Sequence, residues 1–545
     1  MKSYPTLRKW IAGSASLAIL GIVVLITSLS GNSALQDKAP AKPDPKYPWP
    51  MFGGTLDRNL VNLTDPLPKD FSVRKGKEKG VVWQAELGSK SYAGPVVAEG
   101  KVFVGTNNQK KTPRDPNVKG DQGLLQCFDE ATGKFLYQIN FPKLPAGRVN
   151  DWPYQGICST PVVENGKIYF VSNQCQVVCA STKNGSFEEP DGWVLDMMKE
   201  LRVFPHNIAT CSPIIVDDLI FVCTSNGVDE GHINIPQPTA PSFIAVNKNT
   251  GKVVWQNNDP TVKLTEFEGK GDREKFIKKL VDSGQLAMHG QWANPCYAEV
   301  NGVKQVIFPG GDGWLRAFDP KGGGNPNGGK VLWKFDCNPK DSFYVLGSKA
   351  TRNDFVNTPV VYNNKLYIGV GQDPEHQEGV GHFWCIDLVK ATKFGGDVSP
   401  KDKEFDPKAK ANEKSALHWH YGGEGDKKDR IPGFNYVFGR TLSTACVHND
   451  IVYIPDLGGV LYAFEADTGK KLWAYETFSP VWASPYFVDG KLLLGTDAKS
   501  LYIFDAGREL KEPQQVRFGA RLRATPVVAN GTLYVMSENT LYAIR

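Results

Sequence analysis

An eight-bladed β-propeller is the fold this sequence predicts, and three observations carry it. A short hairpin pattern recurs eight times: at Gly94 (GPVVAEGKVFVG), Thr160 (TPVVENGKIYFV), Ser212, Asn294, Thr358 (TPVVYNNKLYIG), Thr444, Ser484 and Thr525. A third-strand pattern, counted separately, also occurs eight times, from LLQCFD at Leu124 to LYAIR at Leu541. Finally, the last copy ends on a third strand, while Val81–Glu86 (VVWQAE) is a fourth-type strand lying before the first hairpin with no blade of its own. The expected fold is therefore all-β, with four-stranded antiparallel blades in a ring that the N-terminal strand closes.

The repeat unit is clearest in residues 443–473, STACVHNDIVYIPDLGGVLYAFEADTGKKLW. Short apolar runs alternate with Asn-Asp, Leu-Gly-Gly and Asp-Thr-Gly turns, the pattern of a four-stranded meander. One such sheet buries too little apolar surface to stand alone, so copies must pack on both sides of it. Closing the ring with Val81–Glu86 would also remove exposed sheet edges.

Three segments precede or interrupt the blades. Lys2, Arg8 and Lys9 lead into an uncharged apolar run at residues 11–29, expected to be a single hydrophobic helix. Positive charge before such a run holds it at the cytoplasmic face and sends the body outward, whether the run is a retained anchor or a cleaved signal. Residues 1–34 are assigned to this leader, 35–60 to a Pro-rich linker and lead-in, and 61–545 to the propeller. The chain is expected to be exported: anchored in the inner membrane facing the periplasm, or soluble there if the leader is removed. Within the blades, residues 264–284 (containing KGDREKFIKKL) suggest a short helix, and residues 394–433 form a long, charged, solvated excursion.

Net charge is +5, or +2 without the three leader cations, which gives no nucleic-acid footprint. There is no CxxCH for a c-type haem. No His or carboxylate spacing marks a metal site, and none is assigned; Asp373, Glu375 and His376 read as loop residues. Cys127, Cys179 and Cys385 stand at the third-strand position filled elsewhere by Ala245, Ala317, Ala463 and Ala543, a small buried site. At most one or two disulfides are expected among the ten cysteines.

Two segments, AVNKNTGKVVW (Ala245–Trp255) and AFEADTGKKLW (Ala463–Trp473), share a Thr-Gly-Lys turn followed by a Trp that covers the apolar face between blades. Trp83, Trp255, Trp333 and Trp473 are the docking tryptophans so identified. With the Thr-Pro hairpins and the lead-in WPMFGGTLDRN, these segments resemble the pyrroloquinoline-quinone-binding-like (quinoprotein dehydrogenase-like) propellers over about residues 47 to 545. The resemblance implies one of two functions. One is a non-catalytic binding or scaffold module at the cell envelope, as in the propeller subunit of the outer-membrane barrel-assembly machinery. The other is a periplasmic quinone-dependent dehydrogenase oxidising an alcohol or sugar, with pyrroloquinoline quinone and calcium as cofactors. The adjacent cysteines of alcohol-type members are missing, and the family's calcium ligands and catalytic Asp find no matching motif here. The non-catalytic reading therefore leads, and no catalytic residue is assigned.

Residues just before each hairpin should gather at one mouth of the channel. They are Arg148, Asp151, Trp152 and Gln155; His206 and Asn207; His289, Gln291 and Trp292; Arg352 and Asn353; Arg440; Trp482; and Arg521 with Arg523. Arginines among tryptophans and amides suit a planar anion, held by forked hydrogen bonds and stacking. The expected partner is another envelope protein or a small anionic ligand, with membrane attachment through the leader.

Overall fold

The structure, a computed structural model, describes residues 47–109, 114–232, 235–260, 289–339, 342, 352–372, 379–402 and 408–545. The apolar run at 11–29, the helix expected in 264–284 and the loop holding Asp373, Glu375 and His376 lie outside these residues. Among the described residues, no helix is long and apolar enough to cross a membrane.

Eight antiparallel sheets follow one another along the chain. Blade 1 runs from Val96 to Pro142, blade 2 from Val162 to Asp196, blade 3 from Ile214 to Asn257 and blade 4 from Cys296 to Asp336. Blade 5 runs from Val360 to Gly422, blade 6 from Cys446 to Glu476 and blade 7 from Tyr486 to Arg517. Blade 8 takes three strands from Val527–Ile544 and its outermost strand from Val81–Glu86, which pairs antiparallel with Thr540–Ile544. The closing strand is therefore where the orphan sequence pattern put it.

The docking tryptophans have a common mechanism. Each lies on an outer strand, directly across from the small third-strand residue: Trp255 faces Ala245, Trp473 faces Ala463, Trp193 faces Cys179 and Trp419 faces Cys385. A larger residue there would push the indole off its own sheet. Each indole instead reaches the next blade and donates its N–H to a main-chain carbonyl just after that blade's third strand. Trp83 reaches Glu130, Trp193 reaches Lys248, Trp255 reaches Pro320, Trp419 reaches Ala466 and Trp473 reaches Gly507. The Gly of the Thr-Gly turn is the seat for the incoming ring: a Cβ on Gly469 would lie 2.5 Å from the Trp419 indole. Trp193 and Trp419 join the set by this geometry. Trp333 differs, donating to Gln305 within its own blade, because blade 5 carries the helix Leu388–Phe394 where blades 1, 3 and 6 have the Thr-Gly turn.

The lead-in does more than connect. From Trp49 to Asn62 it binds the innermost segment of every blade in turn. Trp49 pairs with Val97, the Pro50 carbonyl accepts from Val163, and Arg58 donates to the carbonyls of Ser212 and Pro213. The carbonyls of Leu56 and Asp57 accept from Tyr297 and Val361, and Asn59 exchanges two bonds with Val447. Val61–Asn62 then pairs parallel with blade 7, and Asn62 donates to Val528 of blade 8. These contacts satisfy the axial edges of the first strands, which a ring of blades would otherwise leave open.

The charged excursion after Phe394 is only partly solvated. Gly396–Asp397 adds a fifth, parallel strand to blade 4, and Lys401 is buried 2.7 Å from Asp336. Burying an ammonium requires a counter-charge, and Asp336, also paired with Arg352, provides it. The excursion then returns as Leu417–Gly422 to become blade 5's outer strand. All ten cysteines are free, and all but Cys158 are buried.

Candidate functional site: an aromatic pocket on the propeller axis

The residue that opens each hairpin is Thr, Ser or Asn in seven blades and Gly94 in the first. These residues hydrogen-bond from blade to blade. The Gly94 N–H donates to the Thr160 hydroxyl, the Thr160 N–H to Ser212, and the Ser212 N–H to the Asn294 side chain, which donates to Thr358. Thr444 links to Ser484 and Ser484 to Thr525 in the same way. The Thr-Pro signature thus sews the blades together around the axis.

Beside this polar ring is a cavity of about 540 Å³, within the range that holds one small molecule. Phe52 of the lead-in, Tyr92, Trp152, Trp292 and Trp482 supply aromatic walls, and Gln155, Asn207 and Asn294 supply amides. Two cations, Lys90 and Arg523, are among the lining residues. The Arg523 guanidinium forks onto Asp497 at 2.9 and 2.7 Å, donates to the Tyr92 hydroxyl, and lies 4.6 Å from the Trp482 ring centroid. Its charge is answered at the cavity wall. Lys90, half-buried, is the lining cation with no carboxylate partner among the described residues. Burial raises the Tyr92 phenol despite Arg523, and raises the Cys158 thiol to about 12, so neither ionises at neutral pH.

Six of the fifteen candidate mouth residues line this cavity: Trp152, Gln155, Asn207, Trp292, Trp482 and Arg523. The others are committed elsewhere. Arg148 pairs with Glu230 while stacking 4.0 Å from Trp152. Asp151 holds Lys143 and Asn173; Gln291 accepts from the Gly311 N–H. Arg352 is sunk onto Asp336, and Asn353 bonds Asn338. Arg440 is buried against Gly371, and Arg521 is exposed. His206 and His289 stand behind Trp292, their rings 5.5 and 5.1 Å from it. Lys90 and Tyr92 were missed, although Tyr92 precedes the first hairpin at the offset that marks Trp482 before the seventh.

Pyrroloquinoline quinone with calcium fits this cavity only in part. The aromatic walls and Lys90 suit a planar polyanion, but the described lining holds hydroxyls and amides and no carboxylate. Calcium takes several oxygen ligands, typically including Asp or Glu, and removing a proton from an alcohol needs a base. The lining supplies neither, so no oxidation step follows from these residues.

A ring of eight meander blades, sewn by Thr-Pro hairpins and docked by Thr-Gly/Trp contacts, defines the fold class: an eight-bladed β-propeller whose repeats resemble the pyrroloquinoline-quinone-like type. A family model described as "Outer membrane protein assembly factor BamB" matches residues 118–257 and 434–545. Among solved structures, BamB from Moraxella catarrhalis superposes with a TM-score of 0.50 at 13% identity, covering 85% of this chain and 96% of its own. Quinohemoprotein alcohol dehydrogenase ADHIIG from Pseudomonas putida HK5 gives a TM-score of 0.56 at 13% identity, covering 92% and 80%. The quinohemoprotein alcohol dehydrogenase of Comamonas testosteroni gives 0.50 at 12% identity, covering 91% and 80%. At these identities the likeness shows the fold alone. No curated protein sequence matches the chain.

Proposed function

We propose that this chain is an exported, non-catalytic binding propeller of the cell envelope, and that its axial pocket receives a small planar anion. The observation that carries this reading is the described lining: aromatic walls and a Lys90 with no carboxylate partner among the described residues, and no described carboxylate to hold calcium or act as base. Lys2, Arg8 and Lys9 before the apolar run at 11–29 support export, as does the match to an outer-membrane assembly factor.

Pyrroloquinoline quinone without added calcium is a suitable probe, because it is planar, anionic and quenches tryptophan. Saturable one-to-one quenching that survives chelation of calcium is expected. Trp482→Ala and Lys90→Gln should each weaken it at least about tenfold, the scale of one stacking or charged contact. The dehydrogenase reading rests on the shared fold with the quinohemoprotein enzymes. Dye reduction with alcohols or aldoses after loading with quinone and calcium would establish it and overturn ours. Absence of saturable quenching would remove the small-anion pocket.

A further inference from the structure

Behind Trp292, three histidines from separate segments converge. His206 lies before the blade 3 hairpin, His232 between that blade's second and third strands, and His289 before the blade 4 hairpin. One ring nitrogen of each lies within 4.8 Å of the other two. The His206 and His289 Nε2 atoms are 3.1 Å apart. No sequence spacing signals this cluster, since 26 residues separate the first two histidines and 57 the last two.

The partners of these rings bear on their protonation. The His206 Nδ1 lies 2.9 Å from the Val228 carbonyl oxygen, which can only accept, so Nδ1 carries the proton and Nε2 presents a lone pair. The His289 Nδ1 faces the Asp354 carboxylate at 3.4 Å. The 3.1 Å contact between the two Nε2 atoms is therefore held by a proton on His289 or by a cation shared between the rings. Two nitrogens on one tetrahedral zinc, each at about 2.0–2.1 Å, are roughly 3.3 Å apart, close to the spacing seen. A carboxylate behind a histidine is also the usual outer partner of a metal-bound imidazole, orienting the ring and making it a stronger ligand.

We propose that His206, His232 and His289 form a binding site for a divalent transition metal, zinc being the best fit, with Asp354 as the outer-shell partner of His289. Three neutral imidazoles suit zinc, cobalt, nickel or copper and not calcium, which takes oxygen ligands. Histidines 206 and 289 are buried and His232 is half-buried, which makes His232 the most accessible of the three ligands. The ion joins the segments before blades 3 and 4, and Asp354, before blade 5, extends the connection. It also braces one wall of the axial pocket, because the Trp292 indole donates to the His206 carbonyl at 2.9 Å. The site is separate from the pocket lining and does not depend on what the pocket binds.

The test uses the untagged full chain in mild detergent, stripped with a chelator and titrated with zinc against a chromophoric competitor, then with cobalt. One equivalent of zinc should bind, and cobalt should give the intense visible bands of a tetrahedral nitrogen site. His232→Gln, which leaves the two buried histidines in place, should lose at least a hundredfold in zinc affinity. Asp354→Asn should lose 10- to 100-fold, the usual effect of removing an outer-shell partner. Zinc should raise the melting temperature of the parent chain and not that of His232→Gln. A parent chain that takes up no zinc would overturn the proposal, leaving a shared proton between the rings. So would binding undiminished in His232→Gln, or calcium displacing zinc at equal concentration.

Discussion

Arg58 offers the sharpest test of how the ring is held. Its side chain is fully buried, with Nε donating to the Pro295 carbonyl at 3.0 Å and Nη1 to Phe52 at 2.7 Å. Nη2 donates to Ser212 and Pro213 at 2.9 and 2.8 Å. Burial pushes the guanidinium down to about 10, which leaves it protonated at neutral pH. Four carbonyl dipoles therefore hold the charge and tie the lead-in to blades 3 and 4. Replacing it by Met keeps the length and removes the donors. At about 1.5 kcal/mol for each charge-assisted bond, the loss is about 6 kcal/mol. Relief of the burial cost returns about 3 kcal/mol, from a drop of roughly 2.5 pKa units at 1.36 kcal/mol each. The net destabilisation is about 3 kcal/mol, read as a lower urea midpoint with unchanged slope. Arg58→Lys should fall nearly as far, since one ammonium cannot reach four carbonyls set around a planar fork. A loss below about 1 kcal/mol in Arg58→Met would refute the claim that the lead-in is integral to the ring.

Gly469→Ala should cost about 2 kcal/mol or more, because the backbone is at φ +69° and the new Cβ would press into the Trp419 ring; Gly490→Ala, with equal φ strain and open space, should cost less. Thermal melts of the two variants separate docking from backbone strain. The pH dependence has two opposing parts. His382 is held down to about 3 by burial and then by His420, so the unfolded chain takes up its proton first and stability is lost as pH falls from about 6.5 toward 3. Burial raises Asp456 to about 6, so its contribution is full below about 4 and lost as pH rises through 6. His420, held down to about 4 by burial, acts in the same direction as His382. In urea titrations between pH 4 and 6, the double variant His382→Gln/His420→Gln should therefore leave stability falling with rising pH, and Asp456→Asn should leave it rising. Parallel profiles for the two variants would contradict both assignments.

The fold was legible because its repeat is local. The hairpin turns, the small third-strand residue and the Thr-Gly turn each occupy a few adjacent positions, so counting them in sequence counted the blades. The closing strand was legible for the same reason: Val81–Glu86 carries the pattern of its equivalents. What the Thr-Pro hydroxyls do was hidden, because each bonds a residue about forty to eighty positions away in the next blade. The site was harder still. Residues before the hairpins share a region of the blade but not a direction, and nothing in the sequence there separates Trp482, which lines the cavity, from Arg352, which turns back onto Asp336. The carboxylate that captures Arg352 lies in a strand of the preceding blade, and the three histidines meet only because consecutive blades bring distant loops together. Both depend on packing across blades, to which a repeat pattern is blind.

The division of labour within the blade explains how one fold carries such different chemistry. The hydroxyl ring, the lead-in and the Trp contacts hold the blades and make no demand on the segments before the hairpins beyond their length. Those segments are free to present carboxylates, cations or aromatics to the axis. Here, among the described residues, they present aromatic rings and Lys90, while Asp151 is paired with Lys143 and Asp354 with His289. A calcium-quinone site would need one of these carboxylates released and turned inward. Turning Asp151 would cost the half-buried Lys143 its 2.6 Å ion pair, and turning Asp354 would free the histidine it faces. Among the described residues, these pairings keep both carboxylates turned away from the lining of the axial cavity.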